Sequence, residues 1–100
     1  MEPQFFNVIN DELRGSKETH RVANPRTEEL LWDAPVASAQ DLDDAVSSAL
    51  KAFPAWAKST TAERQAALVK LGEVLRDHEE ELTDILMKES GKSVLCLRGI

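Results

Sequence analysis

Hydrophobic positions follow two regimes along this chain. Before residue 38 they come in short runs broken by turn residues, and after it they recur every three or four positions. Phe5, Phe6, Val8, Ile9 and Leu13 form an aromatic and β-branched run suited to a short strand. Arg14-Gly15-Ser16 then supplies a turn, with Gly15 free to take positive φ. Thr19 to Ala23 makes a second short strand, stopped by Asn24-Pro25, because proline cannot donate to a ladder and drives the residue before it toward an extended conformation. A third apolar run, Leu30 to Trp32, continues toward Val36 and is broken by Pro35. Short strands of this number make a poor core by themselves.

The second regime is helical. Ser38 precedes Asp41 by three residues, the spacing of a capping box. Leu42, Ala45, Val46, Ala49, Leu50, Phe53 and Trp56 then mark one apolar face, with Asp43, Asp44, Ser47, Ser48 and Lys51 expected to face water. Pro54 predicts an end or bend near Ala52 or Phe53. Thr60 and Glu63 repeat the capping spacing and open a stripe of Ala67, Leu68, Leu71, Val74 and Leu75. Asp77 followed by Glu80 predicts a break near Asp77-His78 and a fresh start, after which Leu82, Ile85 and Leu86 resume the stripe. Gly91 fits the position just past the helix end. The expectation is an α+β fold: strands and turns over 1–37, a helical segment over 38–92 and a divergent apolar tail over 93–100.

Composition narrows the function classes. A hundred residues, 42% hydrophobic and 30% charged, suit one small globular domain. A net charge of −6 without a basic face argues against nucleic acid and anionic membranes. No apolar stretch reaches the roughly 18 residues that a membrane span needs. The first residues carry Glu2 and no arginine before Arg14, unlike a secretory or mitochondrial leader. One cysteine, Cys96, excludes an internal disulfide, so a reducing, cytoplasmic setting is expected.

Candidate chemistry is sparse. His20 and His78 lie apart, with no ligand spacing near either, and read as ordinary surface or capping histidines. Cys96 sits between Leu95 and Leu97, surroundings that do not activate a thiol. Glu79-Glu80-Glu81 with Asp84 reads as a solvated helical face rather than a cation site. Gly91-Lys92-Ser93 spells the end of a phosphate loop, but Leu86 stands where that signature needs glycine. These residues also close a helix instead of opening one.

The order of segments is more informative than any single motif. Asn24-Pro25-Arg26-Thr27-Glu28-Glu29 is followed by a helix ending Ala52-Phe53-Pro54-Ala55-Trp56, then by the helix start Ala62-Glu63-Arg64, then by the close Glu89-Ser90-Gly91-Lys92. Four such segments in this order, over roughly residues 6–93, resemble the beginning of the aldehyde dehydrogenase superfamily. The resemblance implies short N-terminal strands followed by two or three helices, the outer part of that family's cofactor domain. It implies an NAD or NADP cofactor and oxidation of aldehydes to acids, in which a cysteine thiolate attacks the carbonyl and a glutamate activates water. It places that cysteine, that glutamate and the cofactor-binding glycines downstream of these residues, so no catalytic or cofactor-binding residue carries over and the chain is expected to bind no cofactor by itself. One carry-over remains: some relatives hold a structural monovalent cation through positions matching Ala23, by its backbone oxygen, and Glu89. The expected role is therefore that of an inactive N-terminal piece. The alternatives are a helical module docking on full-length dehydrogenase subunits and a non-functional truncated product. Without partner surface for Leu68, Leu71, Leu75, Leu82, Ile85 and Leu86, burial would not offset the ordering of their backbone, and marginal stability is expected.

Overall fold

A computed structural model describes residues 3–93. Four short strands precede three helices: β1 (Asn7–Ile9), β2 (Glu12–Arg14), β3 (Thr19–Ala23), β4 (Leu30–Pro35), α1 (Ala39–Ala57), α2 (Thr61–Asp77) and α3 (Glu79–Ser90). The α+β order is the one expected. The strands form two separate pairs, β1 with β2 and β3 with β4. The chain divides into two compact units. One comprises residues 1–22 and 30–58, the other residues 23–29 and 59–100.

In the first unit, the run from Phe5 to Leu13 is a hairpin rather than one strand. β1 and β2 pair antiparallel in the register Asn7↔Arg14, Val8↔Leu13 and Ile9↔Glu12. The reversal falls on Asn10 and Asp11, at φ 53° and 62°. Two successive left-handed residues give the turn whose twist matches that of the flanking strands, and Asn and Asp are the non-glycine residues that tolerate it best. The break expected at Arg14-Gly15-Ser16 is present, since β2 ends at Arg14 and the chain bends at Lys17 and Glu18 before β3, but Gly15 does not adopt positive φ, and the Asn10-Asp11 reversal is a further turn that the sequence reading did not separate. Ile9 (7% exposed) and Trp32 (4%) are the buried hydrophobic residues among those described, with the ring of Phe5 tilted against Trp32 at 5.4 Å.

α1 begins as its sequence dictates. The Ser38 hydroxyl accepts from the Asp41 N–H at 3.1 Å, and the Ser38 N–H donates to the Asp41 carboxylate at 2.9 Å. The helix runs through Pro54 to Ala57, which corrects the expected end near Ala52 or Phe53. Pro54 lies in the last turn, where the ring deprives Leu50 of one carbonyl partner but leaves no further run of helix to disrupt.

The second unit holds α2, α3 and the turn at residues 23–29. Thr60 and Glu63 form the second capping box, with bonds of 3.2 and 2.8 Å. The helical stretch breaks at His78, as the spacing predicts. His78, not Asp77, is the residue at the start of α3, and it makes no side-chain cap bond. Its Nδ1 lies 3.5 Å from the Glu81 carboxylate. Gly91 closes α3 at φ 69°, donating to the Met87 carbonyl at 3.0 Å. A side chain there would meet Pro25, since a Cβ would fall 3.2 Å from its Cγ. No helix among the described residues is long and apolar enough to cross a membrane.

Candidate functional site

Two clusters concentrate polar chemistry, one in each unit. In the first, Arg14 at the end of β2 reaches the start of α1. Its guanidinium lies 3.1 Å from the Asp41 carboxylate and 2.7 Å from that of Asp44. Asp41 is buried and already engaged by Ser38, and Asp44 also accepts from the Gln40 amide at 2.8 Å. The Asp41 carboxyl is held below the usual carboxylate range, first by the Ser38 backbone N–H and then by Arg14. Asp44 is held low chiefly by Arg14 and then by Gln40. The same contacts push the Arg14 guanidinium further toward its charged form. Both carboxylates therefore stay ionised at neutral pH and have no proton to donate. The cluster works as a clasp between hairpin and helix, not as a general acid.

Sequence reasoning identified Asp41 as a cap and assigned Asp44 and Ser48 to water. Instead Asp44 binds Arg14, and the Ser48 hydroxyl lies 3.2 Å from the Asn10 side-chain oxygen. A shallow hollow beside the clasp is lined by Ile9, Asn10, Arg14, Asp44, Ser48 and Lys51 among others.

The second cluster surrounds the turn after β3. The Asn24 side-chain oxygen accepts from the Arg26 N–H at 2.9 Å, the Asn24 carbonyl accepts from the Glu28 N–H at 2.8 Å, and the Asn24 N–H donates to the Glu29 carbonyl at 2.8 Å. Glu28 takes φ 62°, the left-handed residue that lets the turn close. Within the same unit a groove of about 380 Å³ is lined by Asn24, Arg26, Thr27, Asp84, Met87, Lys88, Gly91 and Lys92. Lys88 is neutralised by Asp84 at 2.8 Å, an i,i+4 pair.

Ala23 is the last residue of β3 and Glu89 the penultimate residue of α3, and both belong to this unit. The turn following Ala23 sets Pro25 against Gly91, two residues past Glu89. Both positions offer oxygen donors, the right type for a hard cation. Two oxygens fall short of the six or so that hard cations gather, so these residues do not make a complete site.

His20 lies exposed in β3, and His78 in the α2–α3 junction. Glu79, Glu80 and Glu81 form the exposed first turn of α3, where negative charge suits the helix dipole. Among the described residues no three His, Cys, Asp or Glu side chains group as a metal site. Gly91 ends a helix, so Gly91-Lys92-Ser93 presents no phosphate-binding helix start. Cys96 and the tail from residue 94 onward lie outside the described residues.

Comparison with known proteins gives a consistent result. Residues 13–98 match the model of the aldehyde dehydrogenase family. The chain is 37% identical over 90 residues to the aldehyde dehydrogenase LUC3 of Fusarium sp, covering 90% of this chain and 20% of that one. It is 38% identical over 85 residues to the N-succinylglutamate 5-semialdehyde dehydrogenase of Salmonella typhi, covering 85% of this chain and 17% of the relative. A solved structure from Bacillus subtilis subsp. subtilis str. 168, assigned as an aldehyde dehydrogenase, superposes with a TM-score of 0.81 at 29% identity, over 92% of this chain and 21% of that one. The chain thus spans about a fifth of the length of the relatives it matches.

Proposed function

The chain belongs to the aldehyde dehydrogenase family, and from that membership we propose that it serves as the amino-terminal part of an NAD(P)-dependent oxidoreductase that converts aldehydes to acids, with no turnover of its own. The observation that carries this reading is the family match over residues 13–98, together with the superposition on a fifth of a solved relative. The chemistry needs a thiolate, a water-activating carboxylate and a dinucleotide cradle. In the clasp, two carboxylates are tied to Arg14 and serve to join hairpin and helix. The contribution of these residues is architectural: they build strands and helices that a complete enzyme uses, and the nicotinamide cofactor belongs to that complete enzyme.

Two measurements test this. The purified chain, mixed with aldehydes and NAD or NADP, is expected to produce no reduced nicotinamide. Grafted in place of the matching 85 residues of the Salmonella typhi relative, it is expected to yield a soluble dehydrogenase. Turnover by the isolated chain would contradict the architectural role. A folded but inactive graft would contradict the role within the enzyme.

A further inference from the structure

We draw no further inference here: the strongest candidate, the exposed apolar stripe of α1 that carries Leu42, Val46, Leu50 and Phe53, belongs to a chain spanning about a fifth of the length of its relatives, and nothing in the structure shows what covers it beyond the rest of the same family subunit.

Discussion

Arg14 joins parts of the chain that lie 27 and 30 residues apart. Its two carboxylate partners respond differently to its loss because their surroundings differ. Asp41 owes its lowered pKa first to the Ser38 backbone N–H, which survives substitution of the arginine. Asp44 owes its own first to Arg14, and the neighbouring charge of Asp41 pushes the other way. In Arg14→Leu, the Asp44 carboxyl is expected to rise toward or above its ordinary value while Asp41 moves less, and NMR titration of the two side chains reads this directly. For groups whose folded pKa is lowered, the stabilisation is present above the ordinary carboxylate range and is lost as pH falls through the lowered values. Acid should therefore open the clasp in the parent, and Arg14→Leu should remove the part of that acid response carried by Asp44 while leaving the part that Asp41 owes to Ser38. Equal shifts at the two aspartates would show that the assignment of causes is wrong.

At the scale of elements, the helix starts are the best-determined features. Each capping box satisfies two backbone N–H groups reciprocally, so Thr60→Ala should weaken the start of α2 by about 1 kcal/mol, visible as faster amide exchange in its first turn. These boxes, the break at His78 and the left-handed Gly91 were legible in the sequence because each depends on residues within four positions of one another. The order of four family-like segments was legible for a related reason, since order survives where single motifs are weak. Pro54 was misread because its penalty depends on how much helix follows it, and here only a turn does. The Asn10-Asp11 reversal carried a turn signal that the surrounding apolar run obscured. The Arg14 clasp left no local trace, since nothing near Arg14 or Asp44 announces a partner so far along the chain. The apolar stripe of α1 was visible, but periodicity reports that a face exists and not what covers it.

At the scale of the molecule, few side chains leave solvent. Ile9, Trp32 and Asp41 are the buried residues among those described, while Leu68, Leu71, Val74 and Leu75 along α2 all remain exposed. Hydrophobic burial supplies most of the cooperativity of unfolding, and with so little of it the helices rest on their caps and local pairs. The isolated chain is expected to melt over a broad temperature range by circular dichroism, with Trp32 fluorescence, read in a Trp56→Phe variant, changing at a different midpoint from helicity. A single sharp transition shared by both signals would show more internal support than the exposed faces suggest.

The division into two units also bears on how the chain is made. The polypeptide leaves the first unit after Val22, contributes residues 23–29 to the second, and returns at Leu30. On a ribosome, the hairpin emerges early but must wait for Asp41 and Asp44 before Arg14 has anything to grip. The loop at residues 23–29 waits longer still, until the end of α3 appears. Chain order thus delays closure of the second unit until α3 has emerged, and a ribosome-bound nascent chain halted after Lys58 would carry the first unit complete and that loop still without its helices.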